Sequence, residues 1–209
     1  MLRQPAQKAA RLASGVIRTM QVIRLMGLKD LFHSVATGST KRQKILTPVG
    51  LIFFGLSLLV VICGGIFTDR LLELPTIFPG WVGGMIGFLL LLPGAGLSAW
   101  CVIRFVIAKG TPVPFNPPKE LIVEGPYIWV RNPMLTGVFA CLFGLGLMLN
   151  SISIVGIWTP LYILAHYIEL KKVEEPELEL RFGDRYLDYK RNVPMFFPKI
   201  MGRSKNLDD

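Results

Sequence analysis

Two short polar stretches hold the residue types that could do chemistry. Arg131-Asn132-Pro133 places an arginine and free backbone N–H groups where a proline opens a helix, an arrangement that binds anionic groups. Glu174-Glu175-Pro176 places two carboxylates at the start of another helix, where positively charged groups can bind. Taken separately, the arginine could simply anchor a helix end, and the carboxylates could simply complement a helix dipole. Brought together, the two stretches would form a polar pocket that contains the positive charge of the arginine and the negative charges of the carboxylates.

Ionisable residues also lie in the apolar segment before the acidic pair. Tyr162, His166 and Glu169 follow one another at intervals of one helical turn. An ionisable group at membrane depth is a candidate for function, so Tyr162 and His166 are candidate contacts of a substrate. The alternative is a histidine that packs near the membrane surface and bonds to a neighbour.

The elements that must position these residues are predicted from three charge-free windows. No Asp, Glu, Lys or Arg occurs in residues 45–68, 74–103 or 132–168, which are 24, 30 and 37 residues long. A membrane-spanning helix needs about 20 residues, so the chain is predicted to be an all-α, polytopic membrane protein. The first two windows predict spans from about Pro48 to Phe67 and from Gly80 to Ile107. Glycines in the second span permit close helix packing, and Pro93 should kink it.

The third window predicts a short transmembrane helical hairpin. At 1.5 Å per residue its 37 residues would reach about 55 Å as one helix, nearly twice the core of a bilayer. Residues 150–153, Asn-Ser-Ile-Ser, supply the turn between arms at Pro133–Leu149 and Ile154–Leu170. Because the arms are antiparallel, the two polar stretches at their outer ends become neighbours. The sequence therefore predicts a polar pocket at the membrane surface.

The basic residues indicate which side of the membrane the pocket faces. Of 23 Lys and Arg residues, all but Arg70 lie in the two terminal segments or in the 104–131 connection. With four spans these segments share one side, which the positive-inside rule makes cytoplasmic, together with both termini. The net charge of +9 is therefore interpreted as topology and contact with membrane lipids. No aromatic or motif signature favours nucleic acid as a partner.

The chain divides into four segments. Residues 1–44 predict a basic amphipathic helix on the membrane surface, although a mitochondrial presequence has a similar composition and Met26 could be the true start. Residues 45–107 hold two spans, residues 108–198 hold the hairpin and the catalytic region, and residues 199–209 form a tail. Residues 171–191 predict a cytoplasmic amphipathic helix that roofs the pocket and is broken at Gly183.

The region from Gly110 to Pro198 resembles a known enzyme family. It contains three blocks: GTPVPFNPPKELIVEGPYIWVRNPM, then the acidic pair, then RFGDRYLDYKRNVPMFFP. Their order and spacing are similar to those in the isoprenylcysteine carboxyl methyltransferase and phospholipid methyltransferase superfamily. Members are integral membrane enzymes that transfer a methyl group from S-adenosylmethionine. The resemblance implies that this cofactor contacts Lys119, Glu120, Leu121, Ile122, Tyr127, Asn132, Pro133, Met134, Leu135 and Glu174.

The polar stretches and the ionisable residues of the last span also supply candidates for acting on the substrate. The candidate catalytic residues are Arg131, Asn132 and Glu175, and the candidate substrate contacts are Tyr162, His166 and Lys171. Many members have histidine where this chain has Asn132, which cannot act as a base, and an aromatic residue where it has Leu135. The prenylcysteine enzymes place an arginine just before the acidic run, whereas here Lys171 and Lys172 stand in a shifted position.

The implied function is S-adenosylmethionine-dependent methyl transfer to a lipophilic or small acceptor at the membrane surface. The acceptor could be a carboxylate, a phospholipid amine or a thiol, and no metal is implied. A sulfonium methyl donor needs alignment more than covalent help, and its zwitterionic tail suits the charges of Glu174 and Arg131. Two alternatives stay open. One is an NADPH-dependent sterol-type reductase, whose C-terminal region is similar, and the other is a non-catalytic membrane scaffold that binds no cofactor.

Overall fold

The structure, a computed structural model, describes residues 40–79, 81–108, 110–111, 118 and 120–198. Three predictions lie outside the described residues: the N-terminal amphipathic helix before residue 40, the cofactor contact Lys119, and the tail at 199–209. All regular secondary structure in the described part of the chain is helical. The all-α fold class is therefore confirmed.

Two long helices are apolar over lengths that could cross a bilayer. Helix α1 spans Thr40–Leu71 and helix α2 spans Val82–Ile107. Their apolar stretches are each 26 residues long, and only 11% and 17% of the residues in their most apolar windows are buried in the chain. A helix in a soluble core would be mostly buried, so this surface is typical of helices that face lipid. Helix α1 begins before Pro48, which was expected to open it and instead lies within it.

The third apolar window forms the predicted hairpin. Its first arm is helix α3, Pro133–Met148, and its second arm starts with a π-helical turn, π1, at Ile154–Trp158, followed by helix α4, Thr159–Glu169. Asn150 lies in the turn with a φ of 56°, in the left-handed region where asparagine is tolerated. The bounds of α3 agree with the predicted arm to within one residue.

Polar contacts fasten the tip of the hairpin to the connection between α1 and α2. The side-chain carbonyl of Asn150 accepts the backbone N–H groups of Ile77 and Phe78 at 2.7 and 2.9 Å. Asp69, near the end of α1, accepts the backbone N–H of Ser153 at 2.9 Å. A carboxylate at a helix start satisfies donors that the helix cannot satisfy itself. The tip is thereby held at the end of the hairpin opposite the polar stretches.

Helices α2 and α3 contact each other backbone to backbone at glycines. A Cβ added to Gly94 would lie 2.7 Å from the carbonyl oxygen of Gly137, and one added to Gly144 would lie 2.6 Å from that of Gly87. Real Cβ atoms do not approach so closely, so only glycine permits this separation of the helices. The close packing predicted for the second span is confirmed at Gly83, Gly87 and Gly94, whereas a Cβ at Gly84 or Gly96 would have no neighbouring atom within 4 Å.

The second arm continues beyond the position where the sequence predicted its end. After α4 the chain forms a second π turn, π2, at Leu170–Glu174, and then helix α5, Glu175–Phe182. A separate amphipathic helix was expected to begin at residue 171. The structure instead extends the arm of the hairpin directly into this region, so one uninterrupted helical segment carries both the apolar arm and the acidic pair.

A proline follows each π turn at the same distance. The N–H of Thr159 bonds to the carbonyl of Ile154 ahead of Pro160, and the N–H of Glu175 bonds to the carbonyl of Leu170 ahead of Pro176. Proline donates no hydrogen bond, and its ring clashes with the carbonyl four residues earlier. A turn with i→i+5 bonds widens the helix at that point, so the helix accommodates the proline without ending.

Gly183 separates α5 from the last helix, α6, Asp184–Asn192. Its φ of 55° and ψ of −135° form a conformation that glycine adopts readily, and the predicted break at this residue is confirmed. The chain then returns along the start of α3, where the N–H of Arg131 donates to Pro194 at 2.8 Å and that of Asn132 donates to Met195 at 3.0 Å. These bonds hold α6 over the outer end of the hairpin.

Candidate functional site

A cavity of about 980 Å³, including the part open to solvent, lies at the outer end of the hairpin. Its walls are the end of α2, the segment from residue 120 through the 3-10 turn Gly125–Ile128, the start of α3, and the helix from Glu169 to Phe182. Two tyrosines of α6 complete it. The structure thus confirms a pocket where the two polar stretches meet.

Many of the residues singled out in the sequence line this cavity. They are Glu120, Leu121, Ile122, Tyr127, Arg131, Asn132, Glu174 and Glu175. Pro133, Met134 and Leu135 follow in the first turn of α3 and do not line it; Pro133 and Leu135 are buried in the protein. The structure therefore brings together the two polar stretches and the segment before the 3-10 turn.

Tyr162 and His166 pack in the core of the hairpin instead of lining the cavity. Their ring centroids are 4.5 Å apart, and the ring of Phe139 lies 6.3 and 6.2 Å from them. The hydroxyl groups of Tyr162 and Ser57 share a hydrogen bond of 3.0 Å. This placement agrees with the alternative interpretation of the sequence, in which His166 is a packed histidine. Lys171 is exposed, with its ammonium group 3.5 Å from Glu175.

Glu175 is the electrostatic centre of the junction between the helices. It accepts a hydrogen bond of 2.8 Å from Arg131, and its other oxygen lies 2.7 Å from Lys190 and 3.5 Å from Lys171. Burial alone would raise its pKa, but the hydrogen bond from Lys190 and the charges of Arg131 and Lys171 hold the pKa of Glu175 below its usual range. The carboxylate is thus engaged with three cations and joins α3, α5 and α6.

The adjacent Glu174 faces the cavity in a very different environment. Burial, followed by the charges of Glu169 and Glu177, raises the pKa of Glu174 to about 8. Arg181 opposes this shift only in part, since its guanidinium already lies 3.4 Å from Glu177. In these surroundings Glu174 is mostly protonated at neutral pH, and a cation beside it would favour its charged form.

One face of the helix that contains π2 and α5 forms the acidic wall. The cavity-lining residues of this face are Leu170, Val173, Glu174, Glu177, Leu178 and Arg181. Sequence reasoning missed Glu177 and Arg181, although their spacing of three and seven residues from Glu174 is the helical signal that could have found them. Within the described residues no group of three or more His, Cys, Asp or Glu is placed to hold a metal ion.

Tyrosines line the side of the cavity opposite this wall. The ring of Tyr127 lies 6.1 Å from that of Phe105, and the hydroxyl of Tyr189 donates to the carbonyl of Tyr127 at 2.7 Å. The hydroxyl of Tyr186 accepts a hydrogen bond from Arg131 at 3.4 Å. Burial raises the pKa of all three tyrosines, so they stay neutral at physiological pH. Tyr186 and Tyr189 were predicted only as apolar surface of the C-terminal helix and not as site residues, although both lie in the third family block.

Part of the chain is similar in sequence to a known protein family and to several curated proteins. Residues 82–185 match the phospholipid methyltransferase family. Similar curated proteins include the protein-S-isoprenylcysteine O-methyltransferases of Mus musculus, 35% identical over 82 residues, and of Homo sapiens, 34% identical over 82 residues. The chain belongs to the superfamily that unites the isoprenylcysteine carboxyl methyltransferases and the phospholipid methyltransferases, and the resemblance seen in its sequence blocks is confirmed.

These matches cover part of each protein. The two O-methyltransferases align with 39% of this chain, and the alignment covers 29% and 28% of their own lengths. The nickel-cobalt-cadmium resistance protein NccN of Alcaligenes xylosoxydans xylosoxydans is 29% identical over 117 residues, which are 56% of this chain and 49% of that protein. The chain thus spans about half or less of the relatives it matches. No solved structure matches it significantly.

Proposed function

We propose that this protein is an integral membrane methyltransferase that transfers a methyl group from S-adenosylmethionine to a lipophilic or small acceptor. The proposal rests on the charged residues that line the cavity. Its wall contains five carboxylates and two guanidinium groups: Glu120, Glu169, Glu174, Glu175, Glu177, Arg131 and Arg181. Arg131 is paired with Glu175, and Arg181 with Glu177. The described wall therefore suits a ligand with positive charge.

This charge distinguishes the two candidate cofactors. S-adenosylmethionine carries a sulfonium and an ammonium group against a single carboxylate, so its net charge is positive. NADPH carries several negative phosphate charges, which proteins bind with cations and helix N-termini. A wall with more carboxylates than cations attracts the first ligand and repels the second. The geometry thus favours methyl transfer over the reductase alternative.

Individual residues also fit the methyl donor. Glu174 is placed to pair with a positive group, which would restore its charge. The buried Nε of Arg131 has no hydrogen-bond acceptor within the described part of the chain, and the carboxylate of an amino-acid tail can supply one. Phe105 and Tyr127 offer aromatic surface for a flat base. When bound, S-adenosylmethionine would supply an activated methyl group, and these residues would bind and orient it.

The proposed membrane location is supported by the apolar helices and by the distribution of basic residues along the sequence. Exposed apolar surface on α1 and α2, together with the hairpin, supports a multi-pass protein with four spans. The concentration of basic residues in the terminal segments and the 104–131 connection favours a cytoplasmic location for both termini and the cavity. A water-soluble cofactor would then enter from the cytoplasm, while a lipophilic acceptor would enter from the bilayer.

Thermal unfolding of the purified protein tests this proposal. S-adenosylhomocysteine keeps the ammonium and carboxylate groups of the methyl donor and should raise the Tm. A ligand at 100 times its Kd stabilises the folded state by about 2.7 kcal/mol. NADPH should leave the Tm unchanged. A shift with NADPH alone would support the reductase, and no shift with either ligand would support the non-catalytic scaffold.

A further inference from the structure

Glu169 is a cavity residue to which the proposed binding of the methyl donor assigns no role. It is the last residue of α4, where the apolar arm of the hairpin ends, and it is partly buried in the cavity wall. Its charge is the strongest neighbouring charge acting on Glu174. Both carboxylates line the same cavity, with Glu169 nearer to the apolar arm.

The π turn explains how these two carboxylates reach the same cavity. Residues five apart in a regular α-helix point about 140° away from each other around the axis, because each residue turns the chain by about 100°. In π2 the hydrogen bonds run from residue i to residue i+5, as from the N–H of Glu175 to the carbonyl of Leu170. Residues five apart then lie nearly above one another, so Glu169 and Glu174 share a face.

The groups around the pair differ from those around Glu175. Glu177 and Arg181 of α5, Tyr127 of the 3-10 turn and Tyr186 of α6 all interact electrostatically with Glu174. Arg181 is paired with Glu177, and Arg131 with Glu175. Besides Glu169, the charges that act on Glu174 are thus two negative ones, from Glu175 and Glu177, and one positive one, from Arg181. One of the two carboxylates can pair with the donor's positive group, which leaves the other available to accept a proton.

We propose that Glu169 accepts the proton of the methyl acceptor, and that the reacting atom of this acceptor is protonated at neutral pH, as in a thiol or an ammonium group. This inference rests on the proposed methyl transfer. A carboxylate acceptor has no proton to lose at neutral pH, so a general base would have no part in its methylation. Asn132, the neutral side chain that lines the cavity beside Arg131, cannot take the proton.

The proposed step balances in atoms and electrons. The bond between hydrogen and the acceptor atom breaks, and the proton passes to the Glu169 carboxylate. The electron pair left on the acceptor atom forms the bond to the methyl carbon. The electron pair of the broken carbon–sulfur bond stays on sulfur, which loses its positive charge. Glu169 then releases the proton to water.

Three probes with one alkyl chain test the acceptor class, because only the reacting group differs. We would supply dodecylamine, dodecanethiol and dodecanoate in phosphatidylcholine vesicles that contain the full-length protein, and measure methylated product. The wild type should methylate the amine or the thiol at least tenfold faster than the carboxylate. Equal or faster reaction of dodecanoate would overturn the inference, and so would turnover of none of the probes by protein that binds S-adenosylhomocysteine.

Substitution of Glu169 tests its role in proton transfer. A positioned general base contributes about a hundredfold or more, so Glu169→Gln should lower kcat by about that factor at pH 7. Activity should recover at high pH, where the acceptor ionises by itself, and Glu169→Asp should keep part of it. Glu124→Gln is the matched control, since Glu124 is exposed, pairs with Arg104 and does not line the cavity. A kcat for Glu169→Gln equal to that of the control would refute the role.

Two measurements without turnover separate this inference from the proposed function. At a pH of about 9, where Glu174 is charged in both proteins, Glu169→Gln should bind S-adenosylhomocysteine with a Kd within about twofold of the wild type, because a general base acts on the acceptor. If only the variant lost this binding, Glu169 would belong to the cofactor site; if the wild type did not bind it either, the proposed function itself would fail. An infrared pH titration of Glu174 should also show a lower pKa in Glu169→Gln, because a neighbouring charge is removed. An unchanged titration would show that the carboxylates are not paired.

Discussion

Arg131 and Glu175 form a buried ion pair, with 2.8 Å between Nη1 and Oε1, across 44 residues of sequence. The two side chains are only 9% and 4% exposed. Both residues line the cavity, and so do their sequence neighbours Asn132 and Glu174. The pair therefore fixes the separation of the two polar stretches. Both residues were candidate catalytic groups, and their mutual contact favours a positioning role.

Glu175→Gln should destabilise the protein strongly. The substitution leaves Arg131 and Lys190 without their shared carboxylate in a buried site, and removing one partner of such a pair costs about 3–5 kcal/mol. Unfolding of the purified protein by denaturant would measure the loss. Glu179→Gln is the matched control, because Glu179 also pairs with Lys190 but is half-exposed; it should cost less than about 1 kcal/mol. Equal losses in both variants would contradict a central role for the buried pair.

Glu174→Gln should weaken binding of S-adenosylmethionine without a comparable loss of turnover at saturation. The substitution keeps the shape of the side chain and removes its charge, and one charge-assisted hydrogen bond contributes about 1.5–3 kcal/mol. Isothermal titration calorimetry at pH 8 would measure the affinity, with Glu124→Gln as control. A variant that bound normally but turned over orders of magnitude more slowly would instead identify Glu174 as a catalytic base.

The affinity for S-adenosylmethionine should increase with pH between 6 and 8 and then level off. The pKa of Glu174 is raised to about 8, so below that pH a cation must displace a proton from this carboxyl group. Displacement of one proton changes the apparent Kd by about tenfold per pH unit, with weaker binding at lower pH. Calorimetry at three pH values would measure this slope. Glu174→Gln should abolish the dependence, and a flat profile in the wild type would contradict the pairing.

Gly94→Ala and Gly96→Ala should have opposite effects on stability. A Cβ at Gly94 meets the backbone of α3 at 2.7 Å, whereas a Cβ at Gly96 has no atom within 4 Å. Overpacking at the first site should cost about 1–3 kcal/mol. Alanine at the second should stabilise helix α2 by up to about 1 kcal/mol. Thermal unfolding of the two variants would show both effects. Similar losses in both would mean that α2 and α3 are not held together at the glycines.

Cysteine labelling in intact cells should reveal the orientation in the membrane. With Cys63, Cys101 and Cys141 replaced by alanine, Glu73→Cys should react with an impermeant maleimide, because the α1–α2 connection is expected outside the cytoplasm. Arg185→Cys on α6 should be protected until the cells are permeabilised. The reverse pattern would invert the topology, and labelling of both positions would contradict a membrane between them.

The sequence alone determined most of the helical framework. The absence of charge in residues 45–68, 74–103 and 132–168 indicated the helices, because burial in lipid or protein selects against charge over a whole segment. Asn150 and Gly183 marked breaks through their tolerance of unusual backbone conformations, and both are found at those positions. These signals are local, so they can be read without knowledge of the rest of the chain. The start of α1 at Thr40 was missed, because Lys41, Arg42 and Lys44 lie outside the charge-free window that predicted the helix.

Tertiary structure alone decided which way the site residues face. Glu174 and Glu175 are neighbours in sequence, yet one lines an acidic wall and the other is held by three cations. The π turn before Pro176 sets this direction, because each change in hydrogen-bond register rotates all later side chains around the helix. The same turn lets Glu174 face the cavity that Glu169, just before the turn, also lines. His166, one turn earlier, packs among aromatic rings. Composition and spacing do not reveal such a rotation, since it depends on bonds between the helix and the segments that fold over it.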